Sequence, residues 1–386
     1  MIHNCRIKGI RLIQLPLDGD TWDIAIMETT CGLRGWGDIS SSKNIAGVGF
    51  YLDSFQKTVI GRSPLERSTI INELTRWSYP DRNEQKLFRI ALSAVDQCLA
   101  DLQAKIFEVP LYKFYGAAGL DSIPLYANVN KALRNDRSIE SLVENSKDAY
   151  EQGFSFVKIT IFDEVHPADS MLDLGRSLDR IKAVAEIIPI DKIAFDCHQR
   201  FTRYSLCRMI SELLDRFGNP FWIEDTVQID DYKSQKAAVE RFPQIRFAAG
   251  EVAVNPKEMK EIIDSCLYDV IMPDIRYIGG PSVVESFIKL LNELHMNVSI
   301  HNPGGLISTA HAAHLSALDR NMMPLEFPFR SVCGRADLAE PTECIKNGRY
   351  YFNEAPGIGV EIRNEVLLDR AREYVSGTWE SYKENY

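Results

Sequence analysis

The chain has 386 residues, is 45% hydrophobic and carries a formal charge of −10. That length supports a large core and either two domains or one barrel with an appendage. The acidic balance, without any Lys/Arg block, argues against nucleic acid as a partner. Eight cysteines are scattered with no CxxC pair. A chain this long needs no disulfide staples, so reduced, cytosolic thiols are expected. The start, MIHNCRIKGIRL, lacks the apolar core of a signal peptide. No apolar run approaches the roughly 20 residues of a membrane span. A cytoplasmic setting without a membrane partner is expected.

Residues 1–60 read as strands. Ile24–Thr30, then Cys31-Gly32, then Leu33–Gly37 reads as a hairpin with a glycine turn. Residues 64–115 read as helices. Leu87, Ile90, Ala91, Ala94, Val95, Leu99 and Leu102 recur at helical spacing. Strands followed by helices make an α+β unit, which we bound at residues 1–120.

From residue 123 the pattern changes to short apolar runs alternating with amphipathic stretches. The runs are Ile123–Val129, Phe154–Ile161, Lys192–Phe195, Pro220–Ile223, Arg246–Ala249, Val270–Met272, Asn297–Ile300 and Pro324–Phe327. Lys158, Asp196, Glu224, Glu251, Asp274, His301 and Glu326 lie at or near the ends of seven of them. By subtraction they are 38, 28, 27, 23, 27 and 25 residues apart. A (β/α)₈ barrel of ~250 residues averages roughly 31 per unit. The rhythm is that of repeated βα units in a parallel sheet, bounded at 121–345. Residues 346–386 are expected to pack back on the first domain.

All strand C-termini of a parallel barrel open on one face. Asp196, Glu224 and Glu251 on three successive strands would therefore stand side by side. Three uncompensated carboxylates repel, and a hard divalent cation removes that penalty. An all-oxygen set favours Mg²⁺ or Mn²⁺ over Zn²⁺. The alternative is that each acid pairs with a base or faces solvent. Asp274 and His301 end the next two strands. A carboxylate on one imidazole N–H fixes the tautomer and leaves the other nitrogen as a base. Glu326 could hydrogen-bond a substrate carboxylate if protonated, and Lys158 could supply it positive charge.

His198 follows Asp196 by two residues. If the strand continues, both side chains point the same way, and His198 could protonate a leaving hydroxyl. A surface loop histidine is the alternative. His311 and His314 are spaced i, i+3 without a carboxylate and read as helix packing. The glycine pairs 279–280 and 304–305 lack the strand–GxGxxG–helix context of a dinucleotide site.

Taken together, these segments resemble the enolase superfamily in its mandelate racemase-like subgroup. The resemblance runs from Ala94–Lys105 and Pro110–Tyr112 through Val157–Thr160, Asp196, Trp222–Asp225 and Ala249–Glu251. It continues with Pro273-Asp274, Ile300-His301, Glu326 and Pro356–Glu361. It implies a capping domain on a (β/α)₇β modified TIM barrel, and Mg²⁺ on Asp196, Glu224 and Glu251. It also implies removal of the proton α to a carboxylate to give an enediolate, and a tendency to homo-oligomerise. The Asp196-x-His198-x-Arg200 segment is similar to that of galactonate- and mannonate-type sugar-acid dehydratases. There the histidine is implicated in loss of the 3-hydroxyl.

The racemase pattern has a second lysine where this chain has Thr160. Racemisation needs proton transfer on both faces of the carbon, so Thr160 favours one-base elimination. The expected function is dehydration of an aldonate or aldarate to a 2-keto-3-deoxy acid, by a hydro-lyase. The alternatives are an epimerase, racemase or cycloisomerase of a sugar acid or lactone, and a non-catalytic ligand-binding barrel. Specificity is expected from Leu15–Trp22, including Asp18 and Asp20. Asn128, Asn130, Lys131, Arg200 and Arg335 are candidate substrate contacts.

Overall fold

The computed structural model describes residues 4–40, 44–76, 81–117, 119–169, 172–321, 323–375 and 377–383. Its first unit opens with β1 (Ile7–Leu17), β2 (Asp20–Thr29) and β3 (Arg34–Asp38), an antiparallel meander. Then come α1 (Ile45–Val59), α2 (Arg67–Leu74), α3 (Arg82–Ile106) and the short α4 (Leu111–Phe114). The strand expectation for residues 1–60 is corrected at α1. There Val48, Tyr51, Leu52, Phe55 and Val59 are buried at three- and four-residue spacing, which is a helical stripe. The described residues after 370 add two strands to this sheet, Arg372–Val375 beside β1 and Thr378–Ser381 outside it. Other parts of the tail go elsewhere, because Arg349–Tyr351 pairs with the start of the first barrel strand.

The cysteine expectation is also corrected. Cys5 and Cys31 form a disulfide with Cα atoms 5.2 Å apart. The reason is register: Ile7 and Thr29 are partners at the open end of the β1–β2 ladder, which brings the flanking cysteines together. The other six cysteines are free.

The second unit is a (β/α)₇β barrel. Its strands are β4 (Ser122–Asn128), β5 (Val157–Ile159), β6 (Ile193–Asp196), β7 (Trp222–Glu224), β8 (Phe247–Ala249), β9 (Val270–Ile271), β10 (Asn297–Val298) and β11 (Leu325–Pro328). The seven crossovers contain α5 (Ile139–Glu151), α6 (Gly175–Ala185), α7 (Arg203–Phe217), α8 (Tyr232–Arg241), α9 (Pro256–Ser265), the pair α10 (Ile275–Ile278) and α11 (Pro281–Glu293), and α12 (Leu306–Ser316). Pairing is parallel from β4 through β10, and β11 returns to β4. Between β10 and β11 side chains span the seam. Ser299 Oγ donates to the Pro324 carbonyl at 2.8 Å, and the Asn302 amide donates to Glu326 Oε2 at 2.8 Å.

The strands alternate inward and outward. Tyr126, Phe156, Ala194, Trp222, Ala248, Val270 and Met272 fill the barrel interior as one apolar cluster. The Tyr126 and Phe156 rings stack at 4.5 Å, with Trp222 edge-on to both. Two residues further along β4 to β7 stand Asn128, Lys158, Asp196 and Glu224. The same period that packs the floor therefore aims the polar groups at the mouth.

The cap closes over that mouth. The Gly305 amide donates to Asp38 Oδ2 at 3.0 Å, and a Cβ at Gly305 would lie 2.8 Å from that oxygen and from the Trp22 ring. Gly280, at φ +111°, abuts Asp96 in the same way. Both glycine pairs thus serve close packing of cap on barrel. Among the described residues no helix is long and apolar enough to cross a membrane.

Candidate active site

Asp196 and Glu224 are partners in the parallel register of β6 and β7. Glu251 is out of phase with the inward residue Ala248. Gly250, at φ +132°, re-aims the chain between them. One carboxylate oxygen from each of Asp196, Glu224 and Glu251 lies within 4.8 Å of the others. Lys158, fully buried on β5, reaches Glu224 Oε1 at 2.7 Å, Glu326 Oε1 at 3.0 Å and Asp196 Oδ2 at 3.9 Å. Burial opposes its charge, but Glu224 and Glu326 outweigh burial and keep the ammonium charged. Trp222 Nε1 donates to Glu224 Oε2 at 2.7 Å. Burial first, then the neighbouring acids, pushes the Glu224 carboxyl up to about 8. Burial is the main cause, and repulsion from Asp196, Glu251 and Glu326 adds to it against the opposing charge of Lys158.

The donor set fits a hard divalent cation. It is all carboxylate oxygen. Glu251 Oε2 lies 2.9 Å from His301 Nε2, yet has no hydrogen-bond donor among the described residues. A cation between the three acids would supply the positive partner that these crowded carboxylate oxygens lack. Such a cation would also withdraw the carboxylate field that now holds His301 protonated.

His301 Nδ1 lies 2.7 Å from Asp274 Oδ2. Asp274 caps α10 and receives the Arg276 amide at 2.8 Å and Arg276 Nε at 3.0 Å on Oδ1, while Arg276 Nη2 donates to Oδ2. Burial would raise the Asp274 pKa, but Arg276 and His301 drive it well below the usual carboxylate range. His301 moves the other way: burial opposes its charge, and Glu251, Glu326 and Asp274 raise its pKa well above the ordinary histidine value.

Glu326 accepts hydrogen bonds from its neighbours at the mouth. Against burial, Lys158 and His301 lower its pKa, helped by the Asn302 amide and by Asn128 Nδ2 at 2.5 Å. It is an anchored carboxylate. His198 reaches Asp196, with Nε2 2.9 Å from Oδ2, but not by strand continuation. The strand stops at Asp196, and His198 and Gln199 form a turn at φ +46° and +58°. Burial opposes the His198 charge, but Asp196 lifts its pKa to about 9.

Thr160 Oγ1 accepts from Asn130 Nδ2 at 2.5 Å and donates to Asp196 Oδ2 at 3.4 Å, so a hydrogen-bonded hydroxyl stands where a second base would. All five expected substrate contacts have partners within the protein, Asn128 and Asn130 those already given. Asp20 pairs with Lys131 at 2.7 Å and Arg134 at 3.2 Å. Arg335 holds Glu343, and Arg200 donates to the Asp163 and Val165 carbonyls. His311 and His314 are buried helix residues bonded to the Trp36 and Ile358 carbonyls. Sequence reasoning missed Arg276 and Asp225. The Asp274-x-Arg276 spacing was a signal for the first. Asp225 is buried beside the triad, and burial, then Glu251 and Asp196, push its carboxyl well up. Its Oδ2 has no partner among the described residues.

Residues 141–366 match the family described as enolase C-terminal domain-like. Residues 21–116 match the mandelate racemase/muconate lactonizing enzyme N-terminal domain. The chain belongs to the enolase superfamily, in its mandelate racemase subgroup. This superfamily chain is 23% identical to D-xylonate dehydratase of Haloferax volcanii, over 90% of this chain and 84% of that one. It is 25% identical to D-galactonate dehydratase of Pectobacterium atrosepticum, over 95% and 94%. Among solved structures it is similar to a mandelate racemase/muconate lactonizing protein from Paracoccus denitrificans complexed with magnesium. That match has a TM-score of 0.83 and 22% identity, and covers 97% of this chain and 100% of the other.

Proposed function

We propose that this protein is a Mg²⁺-dependent hydro-lyase that dehydrates a hydroxy sugar acid, an aldonate or aldarate, to a 2-keto-3-deoxy acid. The observation that carries the reading is the asymmetry of the mouth. One imidazole, His301, is held by Asp274 on one flank of the triad; on the other, the Thr160 hydroxyl stands where the racemase pattern has a lysine, and the imidazole there, His198, is paired with Asp196 as the candidate acid. Elimination needs one base, whereas racemisation needs two. The names of the two dehydratase relatives support the same choice.

Magnesium held by Asp196, Glu224 and Glu251 would supply positive charge against which the substrate carboxylate becomes more acidic at C2. The remaining work belongs to side chains. Lys158 adds a fixed cation beside that carboxylate, kept in place by Glu224 and Glu326. His301 Nε2 takes the C2 proton while Asp274 holds Nδ1–H. The C2–H electron pair passes into the enediolate. It then expels the C3 hydroxyl, which leaves as water with a proton from His198. The enol tautomerises to the ketone. His198 suits this part because its Nε2 lies 2.9 Å from Asp196 Oδ2, at the edge of the same mouth.

The test is a screen of aldonic and aldaric acids with Mg²⁺, reading 2-keto-3-deoxy product and, in D₂O, label at C2. An epimer carrying deuterium, with no keto acid from any substrate, would replace this reading with epimerisation.

A further inference from the structure

The first turns of α3 are bolted to the loop that carries Glu251. Arg82 donates to the Val252 carbonyl at 2.9 Å and pairs with Glu258 at 3.1 Å. Asn255 Nδ2 donates to Gln85 at 3.2 Å. One side of the same helix packs on α10, where Ser93 Oγ donates to the Ile275 carbonyl at 2.7 Å. Lys86 therefore stands between the loop of a metal-ligand candidate and the short helix capped by Asp274. Its Nζ lies 4.4 Å from the centroid of the Tyr277 ring.

The cations at the barrel mouth have carboxylate partners. Lys158 has Glu224 and Glu326, Lys131 has Asp20, and Arg276 has Asp274. Among the described residues Lys86 forms no ion pair. It is half-buried, and burial lowers its pKa; Asp274 and Glu251, the acids whose fields reach it, already face Arg276 and His301. A partly desolvated ammonium over an aromatic ring gains most from an anion, because a hydroxyl cannot restore the missing counter-charge.

Resting on the sugar-acid reading of the triad, we propose that Lys86 is a specificity-determining residue that receives a second, distal carboxylate of the substrate. The preferred substrate class is then an aldarate rather than the matching aldonate. The cap supplies this contact through α3, in addition to the β1–β2 hairpin tip, whose Asp20 is already neutralised by Lys131 and Arg134.

Two matched pairs of acids test it, galactarate with galactonate and glucarate with gluconate. Members of each pair differ at C6, a carboxylate in one and a hydroxymethyl in the other. Calorimetric titration of the full chain in Mg²⁺ should show at least tenfold tighter binding of the diacid in one pair or both. Lys86→Met should erase that preference by weakening the diacid alone, and Lys86→Arg should retain a clear part of it. Equal affinity within both pairs, no diacid binding, or equal weakening of both acids by Lys86→Met overturns the proposal. The two readings separate cleanly. A Lys86-dependent diacid preference with no 2-keto-3-deoxy product leaves Lys86 in place and removes dehydration. Product formed without any diacid preference does the reverse.

Discussion

Arg276 Nη1 donates to the Ser40 carbonyl oxygen at 2.7 Å, so one buried guanidinium joins the capping domain to the Asp274–His301 pair. Removing one partner of a buried ion pair costs about 3–5 kcal/mol. Arg276→Met should therefore lower the unfolding free energy by about that much and slow C2-proton exchange, whereas Arg276→Lys should recover part of both. A melt and an exchange assay on the two variants check this. Unchanged exchange in Arg276→Met would show that the dyad is positioned without the cap.

Glu224 sits in the middle of the acid triad and in contact with Lys158. Glu224→Gln should abolish turnover and weaken Mg²⁺ binding measured by calorimetry. In the wild type, Mg²⁺ at a hundred times its Kd should stabilise the fold by about 2.7 kcal/mol, and EDTA should reverse this. An unaltered Mg²⁺ affinity in the variant removes Glu224 from the ligand set.

For the proposed base, His301→Asn should keep the fold and the Mg²⁺ affinity. Exchange of the C2 proton with D₂O should fall by roughly 10²–10⁴, the usual worth of a general base. Wild-type exchange in this variant would mean that another residue takes the proton.

In the proposed sequence His198 would act after that step. His198→Asn should lose most keto-acid formation, again roughly 10²–10⁴, while C2 exchange persists. Equal loss of both processes would place His198 in binding or in proton removal instead.

His314 gives a stability prediction away from the site. Its Nδ1 accepts from the Tyr112 amide at 3.0 Å, and its Nε2 donates to the Ile358 carbonyl at 3.0 Å. Burial pulls its pKa from the ordinary 6.5 down to about 3. The folded state therefore holds the neutral ring while the unfolded state takes up a proton. Its contribution is complete above pH 6.5 and is lost progressively as pH falls towards about 3. His314→Gln can offer the same acceptor and donor without titrating. Between those limits its stability should fall less steeply, by up to about 1.4 kcal/mol per pH unit. Identical slopes from denaturant titrations of the two proteins would remove His314 as an acid-sensitive group.

By itself the sequence determined the barrel and the order of its polar strand ends. Strand and helix periods are local, and a parallel register sets consecutive strand ends side by side. Asp196, Glu224 and Glu251 could thus be placed together from spacing alone, as could Asp274 with His301. Tertiary structure decided the rest. The bond from Arg276 to Ser40 spans 236 positions and has no local signature. The Cys5–Cys31 bridge depends on the register of two strands. The charge states of Lys158 and Glu326 follow from contacts between separate strands in a desolvated barrel mouth. Even His198 reaches Asp196 through a left-handed turn that strand periodicity did not contain, because backbone direction after a strand end is set by what the next loop packs against.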